Sequence, residues 1–260
     1  MITCAVNVAE NRWREWLDAV GNMTVVRDVE FPASLLINES NAMALAERYG
    51  LKVSHAQDLL PPEVARYLTE SPLRGRDDVL PCLGNTLKQC RAGGVRSVSL
   101  EMGLDRIGEA TLEQDLAERI KLLRSLMPVA DSQRLTLCIQ VRYPRAFPGS
   151  REWEYAGNLV HEVMNPCCRL AVNLVPSDFP QDFELRNFIR SCYFNIGIVR
   201  FHYDPALGEN LTMDTQAEWA AVLQNHGFKG GVVFCPRVSG PDGIATACSQ
   251  IDQWAALYSS

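Results

Sequence analysis

Short runs of β-branched and other apolar residues alternate with longer amphipathic stretches along almost the whole chain. Residues 2–8 (ITCAVNV) read as a strand. Residues 10–20 carry Trp13, Trp16, Leu17 and Val20 at helical spacing on one face, and Gly21 stops the pattern. Residues 23–31 predict a second strand, 38–49 a helix closed by Gly50, and 51–55 a third strand. A long connection over 56–74 holds the Pro61–Pro62 pair and precedes a helix at 76–92. The rhythm then continues with strands at 95–101, 135–142, 169–174, 196–202 and 231–235. Between and after them the spacing predicts helices at 111–127, 150–163, 181–191, 214–225 and 243–257.

Eight strand–helix units in strict alternation imply parallel strands joined by right-handed crossovers. Such units close naturally into a (β/α)8 TIM barrel, which needs roughly 250 residues. The 260 residues fit one barrel spanning 1–260. An open doubly wound sheet is the alternative, but no GxGxxG follows the first strand to support a dinucleotide fold. The charge-rich segment GLDRIGEATLEQDLAERIK reads as a loop and a solvated helix face, with Glu118 and Lys121 three residues apart.

Composition narrows the function classes. The net charge is −6 and no basic run occurs, which argues against a nucleic-acid groove while leaving room for a local pocket for a small anion. Nine cysteines are scattered without a CxxC pair, as expected of reduced thiols in a cytoplasmic protein. No window approaches the roughly 18 apolar residues of a membrane span, and the first residues lack the pattern of a signal peptide. The expectation is a soluble, cytoplasmic protein with no membrane partner.

In a β/α barrel, chemistry sits at the C-terminal ends of the strands. Those ends bring forward Glu30, His55, Glu101, Gln140 with Arg142, Asn173, Arg200 with His202, and Arg237 after Cys235. Period-two alternation puts Gln140 and Arg142 on one face, Arg200 and His202 on one face, and Cys235 and Arg237 on one face. If these faces point inward, three guanidinium groups converge and need an anion. That anion is either Glu30 and Glu101 from across the mouth or a ligand carboxylate or phosphate, which arginine grips bidentately. Outward-pointing arginines paired with helix acids are the plainer alternative. His202, two residues before Asp204, with Glu101 and His55, are the candidates for moving protons. Glu30, Gln140, Arg142, Asn173, Arg200 and Arg237 are the candidates for binding substrate.

With these residues in view, the chain resembles the xylose-isomerase-like barrels, the sugar and sugar-phosphate isomerases and epimerases. The resemblance runs over nearly the whole sequence and is carried by LKVSHAQDLLPPEV, by GGVRSVSLEMG, and by Glu30 in DVEF. It implies a divalent metal held by a glutamate after the fifth strand, an aspartate after the sixth, a histidine near the end of the seventh and a glutamate after the eighth. The two glutamates would also move a proton between sugar carbons. Here Gln140 stands for the first glutamate, Asn173 for the aspartate, and Cys235 or Pro236 for the last glutamate. Pro176 occupies a position often given to histidine, and His202 alone matches. Amides bind hard divalent cations weakly and cannot act as bases.

The sequence therefore predicts no metal and no cofactor. It favours a metal-independent isomerase or epimerase-like protein that takes a small anionic or sugar-like molecule. A barrel that binds a ligand or partner without turnover is one alternative. A relocated metal held by Glu30, His55, Glu101 and His202 is another. The resemblance also implies a homo-oligomer.

Overall fold

A computed structural model describes residues 2–39, 41–70, 76–104, 107, 111–143, 151–175, 185–192, 195–204, 211–238 and 240–259. Its strands are β1 (Thr3–Asn7), β2 (Asp28–Pro32), β3 (Lys52–Gln57), β4 (Ser97–Leu100), β5 (Thr136–Tyr143), β6 (Cys168–Leu174), β7 (Ile196–Tyr203) and β8 (Gly231–Pro236). Each pairs in parallel with the next, and β1 pairs with β8, so the sheet closes as the alternation predicts. The described helices are α1 (Trp13–Gly21), α2 (Ala33–Asn38), α3 (Ala42–Arg48), α4 (Pro62–Glu70) and α5 (Arg76–Ala92). They continue with α6 (Leu112–Gln133), α7 (Glu152–Val163), α8 (Leu185–Cys192), α9 (Met213–Asn225) and α10 (Gly240–Tyr258).

The apolar stripes do what their spacing predicts. Trp13, Trp16, Leu17 and Val20 of α1 are buried, as are Ile244, Ile251 and Trp254 of α10, and together they form the layer between sheet and helices. Inside the sheet lies a separate small cluster of Ala5, Cys138, Ala171, Ile198, Val233 and Cys235, from β1 and β5 to β8. The opposite side of the interior is polar: Glu30 on β2, His55 on β3 and Ser99 on β4 are all enclosed.

Several boundaries differ from expectation, each for a local reason. The second strand begins at Asp28 because Asp252 of α10 captures the segment before it. Its carboxylate accepts from the Thr24 and Val25 amides at 2.8 Å and from the Val26 amide at 3.2 Å, taking N–H groups that a ladder would need. The predicted 38–49 helix is two helices, α2 and α3, the latter ended by Gly50 at φ +70. Pro62 opens α4 at the position where proline lacks no needed donor, so part of the expected connection is helical. The α6 helix continues to Gln133, past Pro128.

The charged face of α6 is solvated only in part: Glu113 and Lys121 are exposed, whereas Glu118 and Arg119 are enclosed. Arg119 is buried and donates to the carbonyls of Met102 at 2.9 Å, Leu68 at 2.8 Å and Asp115 at 3.2 Å. Glu118 beside it is buried and accepts from Gln114 at 3.1 Å. At the base of the barrel the His55 ring occupies the space of a missing side chain. Its Cε1 lies 2.5 Å from where a Cβ on Gly231 would be. No described helix is long and apolar enough to cross a membrane, and the described cysteines are free thiols.

Candidate functional site at the barrel mouth

The ends of β3 to β8 surround a cavity of about 450 Å³ at the C-terminal face. Six of the nine sequence candidates line it: Glu101, Gln140, Arg142, Asn173, His202 and Arg237. They arrive there because residues two apart on a strand share a face, so Gln140 and Arg142 rise together on β5 and the step from Cys235 aims Arg237 upward.

The other three candidates lie elsewhere. Strand β3 runs two residues beyond His55, so Gln57 takes the mouth position and His55 sits inside the barrel, 3 % exposed, with neither ring nitrogen hydrogen-bonded. Glu30 and Arg200 meet beneath the mouth as an ion pair that is 0 % and 1 % exposed. Arg200 Nε donates to both carboxylate oxygens at 3.1 and 3.0 Å, and Nη2 donates to Ser99 Oγ at 2.6 Å. Asn7 Nδ2 completes the Glu30 shell at 2.9 Å. The expected convergence of three arginines thus resolves into one guanidinium whose charge is neutralised by Glu30, though its Nη1 has no hydrogen-bond partner, and two, Arg142 and Arg237, lining the cavity.

Sequence reasoning passed over Gln57, Ser99 and Glu152. Gln57 was findable as the next inward residue after His55. Glu152, in the first turn of α7, accepts from the Arg142 backbone amide at 3.1 Å, a contact that no local pattern signals. Pro176 lies outside the described residues.

The electrostatics follow from this layout. Burial, then the nearby Arg200 and Arg237, push His202 down to about 4 against some help from Glu30, with Arg142 adding to the effect. The ring is therefore neutral at pH 7. Asn173 Nδ2 donates to the Val141 carbonyl at 3.4 Å, so its Oδ1 faces His202 Nε2 at 3.0 Å. An amide oxygen only accepts, which puts the imidazole proton on Nε2 and leaves the Nδ1 lone pair open. Burial also pushes His55 down to about 4, although Glu30 pulls the other way. Burial alone would raise the Glu30 carboxyl, but the Arg200 charge and hydrogen bonds hold it below the ordinary range.

The strand ends where the resemblance expects a metal offer two amides, one imidazole already engaged by Asn173, and Cys235. Burial pushes the Cys235 thiol far up, so it is not a thiolate. This donor set lacks carboxylate oxygen and faces arginines, which does not fit a hard divalent cation. Among the described residues no three His, Cys, Asp or Glu side chains gather as they would around a metal, and Glu30, His55, Glu101 and His202 form no such cluster.

This architecture has the fold of the xylose-isomerase-like barrels. Among solved structures, it is similar to the 3-keto-D-glucoside 4-epimerase of E. coli, at 15% identity over 100% of both chains with a TM-score of 0.71. It is similar to a xylose isomerase domain protein of Alicyclobacillus acidocaldarius, at 16% identity over 100% of both chains and 0.68. It is also similar to a family 2 AP endonuclease of Brucella melitensis, at 18% identity over 96% of this chain and 99% of that one, and 0.69. No protein-family model matches the chain, and no curated protein matches it by sequence. At such identities the likeness concerns the fold, and the activities of these barrels differ, so function has to be argued from the mouth.

Proposed function

We propose that the mouth binds a small anionic carbohydrate or carbohydrate acid and acts on it, without a metal, in the manner of a sugar isomerase or epimerase. One observation carries this: Arg142 and Arg237 line the same cavity as a neutral His202, and the Arg237 side chain has no hydrogen bond or ion pair among the described residues. Arg142 and Arg237 share the cavity with Glu101 and Glu152, so its arginines suit a carboxylate or phosphate and the amides on its walls suit the hydroxyl groups such a ligand bears.

Glu101, directly after β4, and His202 on β7 belong to strands three apart around the ring, and Glu101 has no side-chain partner among the described residues. Glu101 would take a proton from the carbon beside a carbonyl. The arginines would hold the enediolate charge, and the protonated Glu101 or solvent would return a proton, while the open Nδ1 lone pair of His202 would accept from a substrate hydroxyl. The sugar epimerase among the similar structures supports the reaction class.

The low value of His202 supports a second reading, in which the mouth binds the same ligands without turnover. An imidazole at about 4 is a weak base at pH 7.

Thermal-shift measurements with sugar acids and sugar phosphates test binding. At a hundredfold excess over Kd the expected rise in Tm is on the order of 5 °C, and it should be lost in Arg237→Gln. No shift with any of them would sink the anion reading. Deuterium uptake into carbon-bound positions in D2O, abolished by Glu101→Gln, separates the enzyme from the silent binder.

A further inference from the structure

A chain of buried polar groups runs from the barrel interior to the mouth. Glu30 holds Arg200, and Arg200 Nη2 donates to Ser99 Oγ at 2.6 Å. Gln140 Nε2 donates to the same oxygen at 3.1 Å, and the Ser99 hydroxyl donates to the Ala56 carbonyl at 3.5 Å. A serine hydroxyl has one proton and two lone pairs, so Ser99, itself 0 % exposed, is fully used. Its two lone pairs are occupied by an arginine N–H and by the Gln140 amide N–H, which sets which end of the Gln140 amide faces which way.

The other end of that amide is free. Gln140 lines the cavity, and its Oε1 has no partner among the described residues and is not among the enclosed atoms left without one. The β5 wall therefore presents a carbonyl oxygen, an acceptor only. The acceptor asks for a hydroxyl donor on whatever binds, while Arg237, on the same cavity, asks for negative charge.

We infer that Ser99 and Arg200 are positioning residues that hold the Gln140 carbonyl toward the cavity, and that the mouth thereby selects a polyhydroxy acid or its phosphate ester over an anion without hydroxyl groups. The ligand class rests on the anion-binding reading above, whereas the positioning of Gln140 stands without it. A hydroxyl that donates to Gln140 gains only if the amide is already turned. In Ser99→Ala the amide loses its fixed partner and turns freely, so the acceptor is no longer pre-set.

Two measurements test this on the full-length protein. The first is calorimetric binding of D-gluconate, 6-phosphogluconate and hexanoate. Gluconate should bind the unmodified protein on the order of tenfold tighter than hexanoate, as one hydrogen bond on a pre-set acceptor allows. 6-Phosphogluconate carries a carboxylate and a phosphate, so binding tighter than that of gluconate shows that the added phosphate is also held. The gluconate-to-hexanoate ratio should fall toward one in both Ser99→Ala and Gln140→Met, with hexanoate affinity unchanged. An equal affinity for gluconate and hexanoate in the unmodified protein, or a ratio that Ser99→Ala leaves intact, overturns the selectivity.

The second measurement needs no ligand. The Gln140 side-chain NH2 resonances, assigned by their loss in Gln140→Met, should be protected from hydrogen exchange and should exchange at the rate of a free amide in Ser99→Ala. Unprotected resonances in the unmodified protein would overturn the positioning role. If no anion binds but the amide is protected, the anion reading and the ligand class fall while the positioning role stands. If Ser99→Ala does not fold, Gln140→Met still decides the binding ratio, and protection in the unmodified protein decides the rest.

Discussion

Arg200 and Glu30 neutralise each other where neither touches solvent, and each is held by more than the other: Asn7 on the carboxylate, Ser99 on the guanidinium. Removing one partner leaves a buried charge whose hydration was lost on folding. Arg200→Met or Glu30→Leu alone should therefore cost roughly 3–5 kcal/mol, whereas the two together should recover most of that loss, because an apolar pair carries no desolvation penalty. Urea denaturation of the two single variants and the double variant reads this directly, and an additive double variant would refute it.

The two buried histidines make a separate prediction about pH. Both are pushed down to about 4 in the folded chain, against an ordinary value near 6.5. Between those values the unfolded chain holds protons that the folded chain does not, so stability falls as pH drops from about 6.5 toward 4. His55 has no hydrogen-bond partner to lose. His55→Leu should thus leave stability at pH 7 within about 1 kcal/mol or raise it, and should flatten Tm against pH across that window. An unchanged slope would show that His55 does not take part.

At the scale of elements, α6 joins the mouth to the layer behind it. Arg119 spends its guanidinium on three backbone carbonyls, one of them Met102, directly after Glu101. Arg119→Met strands the Met102 and Leu68 carbonyls and should cost roughly 1–3 kcal/mol by denaturant titration. Amide exchange should quicken at residues 102–104, while β6 stays protected. The strands and most helices were legible because their signals are local: period two in 136–143, Trp13 and Trp16 at helical spacing. Arg119 was not, since a charged residue on a charged helix looks solvated until the partner carbonyls are known. Nor was the start of β2, which is decided by Asp252, 226 to 228 residues away in sequence.

For the whole molecule, strict alternation was enough to foresee a closed ring of eight strands. The contents of the ring were not foreseeable from alternation. Periodicity says which residues point inward, whereas the stagger of neighbouring strands decides which of them share a level. Hence Arg142, Arg237 and Arg200 share a facing, yet only the first two line the mouth, and Arg200 meets Glu30 below it. The Glu30–Arg200–Ser99 bridge ties β2, β7 and β4 across the interior, and closure leaves no free sheet edge. The barrel should accordingly unfold in one calorimetric transition whose van't Hoff and calorimetric enthalpies agree. An earlier separate melt of β1 to β4 would contradict it.

Finally, His55 and Gly231 divide one volume between two positions on strands that are not neighbours in the ring. Even a methyl group at 231 would collide with the imidazole, so the two residues behave as a single character in two letters. Position 231 cannot grow unless the side chain at 55 gives up room. A library randomised at both sites at once should yield folded variants whose two side chains trade bulk, with a small residue at 55 wherever 231 has grown.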